Sequence, residues 1–244
     1  MSKKWTVLAL VVLALAGVAR AEGDLVATAK WEAEGVDIDL AVLGPGMKPI
    51  KPDKDVTTGP GKETCTVTNP GEGVYLVAVF YAGPKGGQKT VVAVDVRLGD
   101  KAETTTPVVL DRPGEGKIAR VVTIGQADLE TIKLGAGDIS VTLKWETQGS
   151  DVDLGVIGPN LKPIKPEEDV TSGPGQETCT LKAPKPGIYL VAAQCAKAAE
   201  GQKTPISVTV RVGEETVGTY KAVLDKQGEG KVVRILEVPE APAK

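Results

Sequence analysis

The chain contains no histidine. That absence removes the commonest general base and the commonest metal ligand together, and with them any Ser-His-Asp or Cys-His nucleophile. Zinc sites built on cysteine and histidine go as well, because three scattered cysteines form no cluster. Aromatics are scarce, at three Trp, four Tyr and one Phe, which leaves little for the ring platforms that sugar-cleaving enzymes present. No Gly-x-Ser-x-Gly occurs. Gly114-Glu115-Gly116-Lys117 and Gly228-Glu229-Gly230-Lys231 are followed by Ile118 and Val232, where a phosphate loop needs Ser or Thr. Both strings read as turns entering a strand, and nothing in the chain reads as an enzyme.

Clustered positive charge is missing too. The 29 Lys and Arg against 32 Asp and Glu form no basic run, which argues against nucleic acid and anionic membrane surfaces as partners. Long apolar runs are confined to the start. Lys3 and Lys4 precede an uncharged stretch from Trp5 to Val18, and Ala19-Arg20-Ala21 places small residues where a signal peptidase reads. Residues 1–21 are therefore expected to be a secretory signal peptide cut before Glu22, since ~14 apolar residues fall short of the ~20 a spanning helix needs. Periplasmic or secreted localisation follows, with no membrane span after cleavage. The mature chain keeps 26 basic residues against 32 acidic, a net charge near −6.

What the chain does have is a repeat. A shift of 114 residues lays Leu25–Ile124 on Ile139–Val238 without a gap, and half of the positions are identical. Trp31 falls on Trp145, Asp37 and Asp39 on Asp151 and Asp153, and Cys65 on Cys179. The expectation is two tandem domains, 22–124 and 139–238, with a linker over 125–138 and a disordered tail over 239–244.

Periodicity inside each repeat is two. Ile38, Leu40 and Val42 alternate with Asp37, Asp39 and Ala41, and Val141, Leu143 and Trp145 alternate with Thr142 and Lys144. Further strands are expected over 64–68, 74–81, 90–98, 107–110 and 117–123, separated by turns such as Gly59-Pro60-Gly61 and Asn69-Pro70-Gly71. Short strands with turns every 8–15 residues predict an all-β chain of two antiparallel β-sandwiches, jelly-roll or Ig-like.

The strongest constellation is Asp-x-Asp, at Asp37/Asp39 and Asp151/Asp153. On a strand these side chains share one face, with Cα atoms ~6.5–7 Å apart, and two like charges so placed repel. Open solvent, a neighbouring cation such as Lys48, Lys51 or Lys89, backbone N–H groups or a hard metal ion could relieve them. Calcium suits, because it takes six to eight oxygens, mostly from carboxylates and carbonyls. Asp55/Asp169 and Glu63/Glu177 recur in both repeats and could complete its shell. The same acids could form a hydrolase pair, a weaker reading given the shortage of aromatics.

Trp31 and Trp145 are expected in the core, and Tyr75 and Tyr189 as hydroxyl-anchored corner residues. A hairpin of residues 178–181 with 188–195 would set Cys179 opposite Val191, too far from Cys195 for a disulfide. Cys65 has no partner within its repeat, so all three thiols are expected buried and free.

Trp-Glu-x-x-Gly-x-Asp-(Ile/Val)-Asp-Leu, then Thr-(Thr/Ser)-Gly-Pro-Gly-x-Glu, then Gly-(Val/Ile)-Tyr-Leu-Val-Ala resemble the YfaP-like bacterial secreted domain, and more distantly the pre-peptidase C-terminal (PPC) domains of secreted proteases. The resemblance implies a non-catalytic accessory β-sandwich of the envelope or extracellular space, sometimes calcium-stabilised, with Asp37, Asp39, Asp151 and Asp153 at the cation positions. The residue after Asp-x-Asp-Leu, often His in that pattern, is Ala41 or Gly155 here. The partner, an envelope or extracellular protein or glycan, is not named by the sequence, and the alternative function is a surface adhesin recognising protein partners through exposed sheet edges.

Overall fold

A computed structural model describes residues 23–45, 48–83, 88–125, 129 and 131–240. The expected signal peptide, and residues 241–244 of the expected tail, lie outside them. The chain is all-β. Its first half contains β1 (Leu25–Trp31), β2 (Ile38–Gly44), β3 (Lys48–Ile50), β4 (Gly61–Val67), β5 (Gly73–Tyr81), β6 (Thr90–Leu98), β7 (Thr104–Leu110) and β8 (Gly116–Ile124). They make two antiparallel sheets, β4-β1-β6-β7 and β3-β2-β5-β8. Alternation explains the pairing of the sheets: Ile38, Leu40 and Val42 of one meet Ala27, Ala29 and Trp31 of the other in a single buried cluster.

The second half contains β9 (Thr131–Lys133), β10 (Ile139–Trp145), β11 (Asp151–Ile157), β12 (Pro163–Ile164), β13 (Gly175–Leu181), β14 (Gly187–Lys197), β15 (Thr204–Val212), β16 (Glu215–Leu224) and β17 (Gly230–Val238). Its sheets are β13-β10-β15-β16 and β12-β11-β14-β17-β9, with their own buried cluster between them. Register recurs in both halves. Leu25 pairs with Val67 as Ile139 pairs with Leu181, and the bulge between Val77 and Ala78 returns between Val191 and Ala192.

Two features depart from the sequence reading. The stretch expected as linker contributes β9, which pairs in parallel with β17, while Leu134 is buried in the second cluster. The hairpin of 178–181 with 188–195 does not form: β13 pairs with β10, and β14 pairs with β11 and β17. The two strands belong to opposite sheets because the connection between them crosses the sandwich. The thiols are nevertheless buried and free. Burial pushes Cys65 and Cys179 up to about 11, which keeps them as unreactive thiols.

Trp31 and Trp145 sit in the core, and each indole N–H donates to a backbone carbonyl, of Val36 at 3.0 Å and Ser150 at 3.1 Å. Gly61 and Gly175 lie flat against these rings, so an added Cβ would overlap the indole carbons. Gly175→Ala is expected to lower stability by ~1–3 kcal/mol, the range for overpacking a filled core, read as a shift in the urea midpoint with an unchanged slope. Gly201→Ala, with nothing within 4 Å of its Cβ position, is the open-space comparison, carrying only its own left-handed strain. Tyr75 and Tyr189 donate their hydroxyls to the carbonyls of Gly71 at 3.1 Å and Lys185 at 2.9 Å, the expected corner contacts.

A third buried cluster joins the halves. On β5 the core side is Tyr75, Val77, Val79 and Tyr81, so Leu76 points out of its sandwich, yet it is buried. It packs with Leu190 and Ile235, which point out of the other. The outer faces of β3-β2-β5-β8 and β12-β11-β14-β17-β9 therefore cover one another.

Candidate metal centres

Each half brings three carboxylates together at one sheet edge. Strand β3 pairs only with Val42–Gly44 of β2, so the edge of β2 from Ile38 to Ala41 has no neighbouring strand there. The segment between β3 and β4 covers it. That segment is fixed to β4 by the Asp53 N–H, donated to the Thr64 carbonyl at 2.7 Å. Asp55, which it carries, comes to lie beside Asp37 and Asp39, with carboxylate oxygens of all three within 4.8 Å of one another. The second half repeats this with Asp151, Asp153 and Asp169, where the Glu167 N–H reaches the Thr178 carbonyl at 2.8 Å.

All four sequence-predicted site residues therefore lie in these clusters. Of the additional acids, Asp55 and Asp169 join them, whereas Glu63 and Glu177 do not. Glu63 is 1% exposed and Glu177 2%. They face the inside of the sandwich from β4 and β13. Glu63 accepts the Leu40 N–H at 2.7 Å and the Val56 N–H at 2.8 Å; Glu177 accepts those of Leu154 at 2.7 Å and Val170 at 3.1 Å. Each glutamate thus satisfies the donor that the short edge strand leaves bare on the Asp-x-Asp strand. It also ties down the backbone one residue beyond the third Asp. The expectation that these glutamates complete a metal shell is corrected: they position the aspartates. Recurrence of Glu at equal spacing was the only sequence signal for this role.

Electrostatically the clusters are little relieved, Lys197 alone opposing the repulsion and only in the second. Burial, then Asp55, raises the pKa of Asp37; burial, then Asp37 and Asp55, raises that of Asp39. In the second half burial and Asp169 raise Asp151, partly offset by Lys197, and burial, Asp151 and Asp169 raise Asp153. No ion pair reaches these acids among the described residues, and Lys89 pairs instead with Asp111 at 3.5 Å. One carboxylate oxygen of Asp37 and one of Asp151 are buried without a hydrogen-bond partner. Buried oxygens converging with two further carboxylates fit a hard cation, which takes carboxylate oxygens as its ligands and offsets their mutual repulsion.

The acids line neither of the two crevices found between the halves. No helix of the described residues is long and apolar enough to cross a membrane. Neither a scan against protein-family models nor a search of curated proteins gives a match.

Proposed function

We propose that this chain is a non-catalytic, exported binding or structural module of the cell envelope or extracellular space, built from two tandem β-sandwich domains that each hold one calcium ion. The observation that carries this reading is the twice-repeated orphaned aspartate oxygen within a three-carboxylate group. Asp37, Asp39 and Asp55 hold one ion, and Asp151, Asp153 and Asp169 the other. The aspartates lie on a sheet edge, outside the two crevices between the halves, a setting that suits a structural cation. The resemblance to YfaP-like secreted domains points the same way, and the leader-like first 21 residues support export. Equilibrium dialysis with radioactive calcium tests the assignment. Two ions per chain are expected, one after Asp151→Asn with Asp153→Asn, and none when Asp37→Asn and Asp39→Asn are added. Unchanged stoichiometry in the quadruple variant overturns it.

A further inference from the structure

Going beyond the cation reading, the two halves meet through the same positions. Leu43, Leu76, Ile118 and Val121 of the first half enter the shared cluster. Their equivalents 114 residues on, Ile157, Leu190, Val232 and Ile235, all enter it from the second half, joined there by Ile188 and by Leu129 of the connecting stretch. An interface in which one patch meets its own counterpart is isologous, the geometry of a twofold dimer.

The crevices flanking this cluster, which share Ile118, Ile188 and Val232 with it, carry the relation outward. One, of about 1380 Å³, runs between Gly116, Lys117 and Ile118 of the first half and Pro159, Gly187 and Ile188 of the second. The other, of about 160 Å³, runs between Gly230, Lys231 and Val232 of the second half and Pro45, Gly73 and Val74 of the first. Every residue lining the smaller crevice has its 114-residue equivalent in the lining of the larger, which continues over further residues that have no counterpart in the smaller. The pseudo-twofold therefore extends beyond the apolar centre to part of its rim, although the two crevices differ in volume.

We propose that the outer face of β2, β5 and β8, and equally that of β11, β14 and β17, is a self-complementary surface whose partner is a second copy of the same fold, supplied here in cis. The connection over 125–130 then raises the local concentration of one half around the other but is not what holds them. Each half retains the ability to pair with its own kind.

The test uses the full chain with a specific protease sequence inserted after Gly125. After cutting at micromolar concentration, the halves are expected to co-elute at the size of the intact chain; separation on cutting overturns the proposal. Cut isotope-labelled and unlabelled samples are then mixed in sub-denaturing urea until labelled and unlabelled heterodimers reach statistical proportions, and analysed by native mass spectrometry. Paired first halves and paired second halves are expected at no less than about one hundredth of the heterodimer, a ~100-fold allowance for divergence between the repeats. Their falling below that level once mixing is complete also overturns it. Leu76→Asp, with its β-sheet circular dichroism verified in the uncut chain, is expected to abolish co-elution. If that variant loses its sheet signal, the exchange experiment on the unaltered halves decides alone.

Discussion

Calcium at ~100-fold its dissociation constant is expected to stabilise each half by about 2.7 kcal/mol, which for domains of ~100 residues raises the melting temperature by roughly 10 °C or more. At the ~10⁻⁴–10⁻³ M dissociation constants of extracellular calcium modules that excess is ~10–100 mM, so the effect begins near millimolar calcium, grows over tens of millimolar and is reversed by chelator. Asp151→Asn with Asp153→Asn should remove the shift from the second half and leave that of the first. The pH dependence carries the opposite sign with and without the ion. Without calcium, Asp37, Asp39, Asp151 and Asp153 hold protons more tightly folded than unfolded, their values being raised above the ordinary 3.8. Acidification through those raised values towards 3.8 therefore favours the folded state at these positions. With calcium bound, the same protonation expels the ion, and the melting temperature falls. Asp95, Asp225 and Glu229 are shifted downward and lose stability on acidification, so the aspartate contribution is read as the difference between the native chain and the quadruple Asn variant. A calcium-independent melting curve at every pH would remove the cation from this account.

The second large effect is expected at Glu63 and Glu177. Glu177→Ala strands the N–H groups of Leu154 and Val170, and the first of these is buried behind an edge that no strand covers. At ~1–3 kcal/mol for each of the two donors left unsatisfied, the loss is about 2–6 kcal/mol, measured from the urea midpoint. Glu177→Gln keeps one accepting oxygen but turns an amide towards the other donor, and should fall between Ala and the native chain. Because the same carboxylate ties down the segment bearing Asp169, Glu177→Ala is also expected to weaken calcium binding in the second half, although Glu177 is not a ligand. A variant as stable as the native chain, with unaltered calcium affinity, would leave Glu177 without its positioning role.

The sequence by itself determined the long strands, though not the short edge strands β3, β9 and β12. Period-two alternation places Ile38, Leu40 and Val42 inwards and the aspartates outwards, and the 114-residue repeat carries that pattern from one half to the other. It also brought Asp37, Asp39, Asp151 and Asp153 forward, because side chains two apart on a strand share a face whatever the rest of the chain does. Tertiary structure decided which strands are neighbours. Nothing local distinguishes a hairpin of β13 and β14 from a crossing between sheets, since both connections are short and turn-rich; only packing of the two inner faces selects the second. Tertiary structure also brought Asp55 to the pair and turned Glu63 inward, because both depend on where a short edge strand stops. The contact between halves left a trace that periodicity alone did not interpret. Gly73–Tyr81 is apolar almost throughout, as a strand buried on both faces must be. What covers its outer face is set by the partner that the fold presents to it, here the other repeat.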